Sequence, residues 1–188
     1  MKRPNILLIT TDQQRYDTIC AMGYDFMETP NLDLLAAEGC CYPNAFSSNP
    51  VCMAARHQII TGLTARYHGF DDNYFESDPK MIPYDLPTLP QLLSDAGYDT
   101  IAIGKMHFQP CRRHNGFTKM ELMEEIPRYL EDDEYTKYLK ENGYGHLQSP
   151  HGVRHLLYML PQRSLIPEEH HGSTWVAKRS IYHLQENA

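Results

Sequence analysis

The sequence predicts an α/β protein, with a mostly parallel sheet flanked by helices. Three observations carry that expectation. Two short continuous apolar runs, NILLIT at 5–10 and YDTIAIG at 98–104, have the composition of strands buried on both faces. Segments with helix start and stop signals lie between them. The elements then read strand, helix, strand, helix, helix, strand, an order that suits helices covering a parallel sheet.

Each element has a local reason. NILLIT ends in polar residues, as a strand feeding a rim does. TPNLDLLAAEG (29–39) offers Thr29 as N-cap, Pro30 at the first helical position and Gly39 just past the end. Leu32, Leu35 and Ala36 make its expected apolar face. CCYPNAFS (40–47) reads as a short strand interrupted by Pro43. Residues 52–61 read as a helix stopped at Gly62. TLPQLLSDAG (88–97) carries a capping box, Thr88 with Gln91, and runs directly into the strand at 98–104. Residues 109–172 are rich in Pro, Gly, Tyr and His and are expected to form an irregular insertion, with a charged helix over 130–142. A last helix is expected at 173–186, capped by Ser173 or Thr174, with Trp175, Val176, Ile181 and Leu184 on one side. The 1–108 portion holds the motif-bearing core.

Composition excludes several classes. The 188 residues are 41% hydrophobic and 11% aromatic, enough for one domain with a core. Net charge is -7 and no Lys/Arg cluster forms, so a nucleic-acid surface is excluded. The N-terminal apolar run, Ile6 to Thr10, is too short for a secretory segment, and no stretch approaches the ~18 apolar residues of a membrane span. The expected location is cytoplasmic, with no membrane partner. Cys20, Cys40, Cys41, Cys52 and Cys111 include no CxxC pair, so no disulfide framework is expected.

One stretch concentrates chemistry. In NPVCMAARHQIITG (49–62), Cys52 sits where a helix begins and Arg56 follows one turn later on the same face. A buried, inert cysteine is one reading. The other is a reaction centre, because free N–H groups at a helix N-terminus and a guanidinium together favour an anion. Asp12, after the first strand, is either a turn former or a carboxylate ligand for a hard cation. In open parallel sheets ligands bind beyond the carboxyl ends of strands, which places Asp12, Lys105 and His107 on one rim. Lys105 and His107 are also expected to face one side, as alternate residues of an extended strand end do. Asn73 could approach the same anion. His151 and His155 have metal-pair spacing if helical, but Pro150 and Gly152 argue against a helix there. His170 and His171 precede a helix and could touch a substrate or serve as polar loop residues.

Cys52-Met53-Ala54-Ala55-Arg56 resembles the sulfatase signature Cys-x-Pro/Ala-x-Arg, with Ala55 where the pattern usually has Ser. PNILLITTDQQ, TPNLDLLAAEG, TGLTARYHG and GYDTIAIGKMHF are similar to sulfatase segments in the same order. IPEEHHGSTWVAKRSI is like a later one. The resemblance implies an alkaline-phosphatase-like fold and a sulfuric ester hydrolase acting on a sulfated small molecule or carbohydrate. It implies that a maturation enzyme oxidises Cys52 to formylglycine. It also implies a divalent metal, calcium before manganese or magnesium, held by Asp12, Gln13 and the Cys52 position. Arg56, Lys105 and His107 would serve catalysis, and Lys105 would meet the sulfate. Most sulfatases have two acids where this chain has Asp12-Gln13, a pair that also occurs in phosphonate monoester hydrolases. Those enzymes, however, carry Tyr and Thr at the positions of Lys105 and His107. Hydrolysis of phosphonate or phosphate esters is therefore the second expectation. A third is a catalytically silent fragment, because family members run longer and the chain looks like the N-terminal part of such a domain.

Overall fold

The computed structural model describes residues 3–74, 80–125, 127, 129, 132–153, 156 and 159–187. It forms two units, Met1–Ser47 and Ser48–Ala188.

The first unit holds two 3-10 turns, Tyr16–Thr18 and Cys20–Met22, and helix α1, Pro30–Glu38. Thr29 flanks α1 as the sequence predicts, but its hydroxyl does not cap the helix. It accepts from the Cys20 N–H at 2.9 Å and donates to Asp33 Oδ1 at 2.9 Å, tying a turn to the helix. Gly39 ends the helix, its N–H donating to the Leu35 carbonyl. A Cβ there would stand 2.8 Å from that oxygen. Two expectations fail in this unit. Residues 5–10 make no ladder, and Ile6 to Ile9 are exposed. An apolar run becomes a buried strand only where partners pair its backbone and cover its faces, and the described residues supply none. Residues 40–47 are not a strand either. Pro43 and Asn44 form a turn, since proline has no N–H for a ladder. Leu35 is also exposed, so the expected apolar face of α1 is incomplete.

The second unit contains α2 (Cys52–Thr61), α3 (Ala65–His68) and α4 (Leu89–Asp95), then β1 (Ile101–Gly104), β2 (Lys119–Leu122) and α5 (Glu134–Glu141). A 3-10 turn at Glu168–His170 leads into α6 (Gly172–Glu186). The strands pair in parallel, Ile101 opposite Lys119 and Gly104 opposite Leu122. Both α3 and β2 are absent from the sequence expectation, and β2 and α5 lie within the stretch expected to be irregular. The charged helix is α5, with Glu134 in its first turn and Lys140 in its last. Its expected start at 130 and 131 lies outside the described residues.

Helix α2 starts and stops as predicted, with Gly62 in the left-handed conformation that ends a helix (φ 69°). In α4 the Thr88 hydroxyl accepts from the Gln91 N–H, but Gln91 Nε2 donates to Asp95 at 2.7 Å instead of returning to Thr88. Only half of the capping box forms. Helix α6 is capped by His171, whose Nδ1 accepts from the Ser173 N–H at 3.3 Å, and not by Ser173 or Thr174. Trp175 is buried, whereas Ile181 and Leu184 are about half exposed. Between them, α6 meets β2 through charge: Arg179 forms a two-pronged pair with Glu121, and His183 Nε2 lies 2.8 Å from the same carboxylate. That pairing holds the Glu121 carboxyl down at about 2.

Two apolar clusters hold this unit. Met53, Ile60, Phe70, Phe108, Met120 and Leu122 bind α2 to the sheet. Tyr135, Leu139, Ile166 and Trp175 bind α5 to α6. The first cluster seats the helix that begins at Cys52 against the strand that ends before Lys105. Among the described residues no helix is long and apolar enough to cross a membrane.

Candidate active site

Cys52 is the first residue of α2, partly buried, preceded by Val51 in extended conformation. Val51 has no side-chain oxygen to cap the helix. The cap comes from elsewhere in the chain: Asn73 Oδ1 accepts from the Met53 N–H at 3.0 Å. Asn73 thus secures the turn that carries Cys52.

The next two groups come from the end of β1. Gly104 closes the strand with φ 100°, and His107 has φ 55°. A side chain at Gly104 would be strained by that φ and would press on Val176, 3.3 Å away. Residues 105–107 therefore turn away from the line of the strand as an irregular segment. The expectation that Lys105 and His107 share a face by strand alternation is corrected, because the extended geometry stops at Gly104. The turn brings Lys105 Nζ to 3.8 Å from Cys52 Sγ. Arg56, one helical turn after Cys52, donates through Nη1 to the Lys105 carbonyl. The guanidinium thus spends one donor on holding the lysine's backbone.

Sequence reasoning missed two groups here, Glu124 and Glu125. Parallel pairing carries the end of β2 to the same rim as the end of β1, and the Met123 N–H donates to the Gly104 carbonyl at 3.2 Å. Glu125 Oε2 lies 3.0 Å from Lys105 Nζ. Glu124 Oε1 accepts from the Met106 N–H at 2.9 Å and the His107 N–H at 3.0 Å. Burial pushes the Glu124 carboxyl up, against these backbone bonds and the charge of Arg56. The signal for β2 was the alternation of charged and apolar residues in Lys119-Met120-Glu121-Leu122, a pattern too short to stand out.

The remaining candidates have other surroundings. Asp12 and Gln13 belong to the first unit, both exposed, Gln13 with φ 53°. Their oxygens suit a hard cation in kind. In number they fall short, since among the described residues no group of three or more His, Cys, Asp or Glu could hold a metal ion. His170 Nδ1 lies 2.6 Å from the Tyr138 hydroxyl, and its ring packs on Tyr144. With His171 capping α6, both histidines have structural contacts. His151 packs on Tyr135, and burial lowers its affinity for a proton. His155 lies outside the described residues.

Cys52, Arg56 and Lys105 therefore meet at the start of α2, with the carboxylates of Glu124 and Glu125 beside them. Comparison with known proteins identifies the family. The family model described as Sulfatase matches residues 4–165. An arylsulfatase of Clostridium perfringens is 32% identical over 97% of this chain and 40% of its own length. The N-acetylglucosamine-6-O-sulfatase of Bacteroides thetaiotaomicron is 32% identical over 76% of this chain and 25% of its own. Human N-acetylgalactosamine-6-sulfatase is 35% identical over 55% and 22%. The chain therefore spans at most two fifths of these relatives. Among solved structures, the phosphonate monoester hydrolase of Agrobacterium radiobacter superposes with a TM-score of 0.74 at 23% identity, over 98% of this chain and 38% of that one. Its fold is alkaline-phosphatase-like, and so is the fold of this chain. With the family match running over most of its length, the chain belongs to the sulfatase family.

Proposed function

We propose that the protein is a sulfuric ester hydrolase that cleaves sulfate monoesters at Cys52. One observation carries the reading: the Lys105 ammonium stands 3.8 Å from the Cys52 sulfur at the start of α2. Oxidised to formylglycine by a maturation enzyme, Cys52 would supply a hydrated aldehyde with two hydroxyls, one to attack sulfur and one to expel sulfate. Lys105 is a compact cation suited to a multi-oxygen anion, and it would hold the sulfuryl group over residue 52. Arg56 fixes the Lys105 backbone and adds positive charge. His107, on the same turn, would move the proton in the expulsion step.

A divalent cation, calcium first, would draw on Asp12 and Gln13 for oxygen ligands and would supply Lewis-acid chemistry. The described residues do not complete its ligand set, so no step here runs through it. The relatives' names, arylsulfatase and two amino-sugar sulfatases, support a sulfated aromatic or sugar substrate.

Asp12-Gln13 favours a second reading, hydrolysis of phosphonate or phosphate esters. The test is two measurements on protein produced with a formylglycine-generating enzyme. The mass of the tryptic peptide holding Cys52 should show the aldehyde. Turnover of an aryl sulfate should exceed that of the matching aryl phosphonate. The reverse order would replace the sulfatase reading with the second one, and an unmodified thiol in an active protein would remove the formylglycine.

A further inference from the structure

We infer that Glu124 is a positioning residue that sets the Lys105–His107 turn against Cys52; the catalytic part of this inference rests on the sulfatase reading above. The observation is an acid used as a backbone clamp. Glu124 is 5% exposed. Its Oε1 takes the N–H groups of Met106 and His107, and Oε2 stands 3.1 Å from the His107 N–H. These are successive amides of a segment whose last residue holds φ 55°, a left-handed conformation uncommon outside glycine.

The turn is gripped from both sides. Arg56 donates to its carbonyl at Lys105, and Glu124 accepts from its next two amides. A cation therefore holds the acceptor and an anion holds the donors, each matched in sign to the backbone dipole it meets. Without these bonds the part-buried N–H groups of Met106 and His107 would lose their partners. Glu124 is itself held, because its own N–H donates to Asp133 Oδ2, and Asp133 is 1% exposed and caps α5 through the Thr136 N–H. The relay runs from the start of α5 through Asp133 and Glu124 to the turn. It places Lys105 at 3.8 Å from Cys52 without Glu124 touching the cysteine.

Oxygen geometry makes the clamp separable from charge. Oε1 receives both amides and Oε2 shares only the His107 N–H, so a glutamine carbonyl in the place of Oε1 keeps one bond to each amide and gives up the shared one. Glu124→Gln should therefore keep the turn, whereas Glu124→Ala should release it. The experiment is hydrogen–deuterium exchange followed by mass spectrometry on peptides covering 104–109, together with kcat and KM on an aryl sulfate. In Glu124→Ala, exchange at 106 and 107 should accelerate at least tenfold, and kcat should fall roughly 10²-fold with a smaller change in KM, the scale expected for a misplaced group. In Glu124→Gln, exchange should stay near wild type and kcat within several-fold. Should Glu124→Ala not fold, Glu124→Asp, one methylene shorter, takes its place with the same expected loss.

Unchanged exchange in the Ala or Asp variant would overturn the clamp. A Gln variant with protected amides but the same kcat as Ala would overturn positioning in favour of a role for the charge. A wild-type protein that turns over neither sulfate nor phosphonate esters would sink the hydrolase reading, while the exchange data would still decide whether Glu124 sets the turn.

Discussion

Lys105 Nζ lies 3.0 Å from a carboxylate oxygen of Glu125 and 3.8 Å from the sulfur of Cys52, so one ammonium is shared between an internal anion and the thiol at the start of α2. Both Lys105 and Glu125 side chains are mostly shielded from solvent, which makes the pair stronger than a surface one. On the sulfatase reading, a substrate sulfate would compete with Glu125 for that cation.

Lys105→Ala should lower kcat on a sulfate ester by roughly 10²–10³, the usual loss for one pre-aimed electrostatic group. Glu125→Gln should act in the opposite direction on binding. Inorganic sulfate should become a several-fold tighter competitive inhibitor once the internal carboxylate is neutral. An inhibition constant equal to wild type would show that Glu125 does not compete for the site.

Asn73 should be a stability residue. Its amide oxygen caps the N–H of Met53 at 3.0 Å, and the helix has no side-chain cap of its own. Asn73→Ala should cost about 1 kcal/mol in urea unfolding, and Asn73→Asp, which keeps an acceptor and adds negative charge at the helix start, should cost less. Equal losses for the two would argue against capping.

Acid should loosen the packing beneath Cys52. His57 is buried, stacked on Phe70 at 3.8 Å between ring centres, with Nδ1 2.8 Å from the Met53 carbonyl. Burial lowers its pKa from 6.5 to about 4. The neutral ring is favoured in the fold, so the unfolded chain binds more protons between those values. Stability is full above about pH 6.5 and is lost as pH falls toward 4, by about 3 kcal/mol in all. Thermal unfolding followed across this range should show the decline, and His57→Phe should flatten it. A slope unchanged in that variant would assign the acid sensitivity elsewhere.

Gly116 should not tolerate a side chain. It has φ 94°, and a Cβ would overlap the backbone of Gln91 at the start of α4. Gly116→Ala combines left-handed strain, about 1–3 kcal/mol, with displacement of the helix. A denaturant midpoint within error of wild type would refute the close approach.

Local signals in the sequence were enough for α1, α2 and α4. Pro30, Gly39, Thr88 and Gly62 mark starts and stops, and α1, α2 and α4 lie where those marks put them. The ordered motifs around Cys52 were enough for the family, because they depend on residue identity and spacing. Pairing and burial were decided only by tertiary structure, since both depend on residues distant in the chain. NILLIT has a strand's composition yet no ladder among the described residues, while Lys119–Leu122 pairs with β1 despite its charges. Glu121 is stable in that strand because Arg179 and His183, about sixty positions on, neutralise it. Glu124 and Glu125 meet the Lys105 turn because parallel register aligns two strand ends. Spacing alone could not show this, because the groups that hold Lys105 in place, Arg56, Glu124 and Glu125, are 49, 19 and 20 residues away from it in the chain.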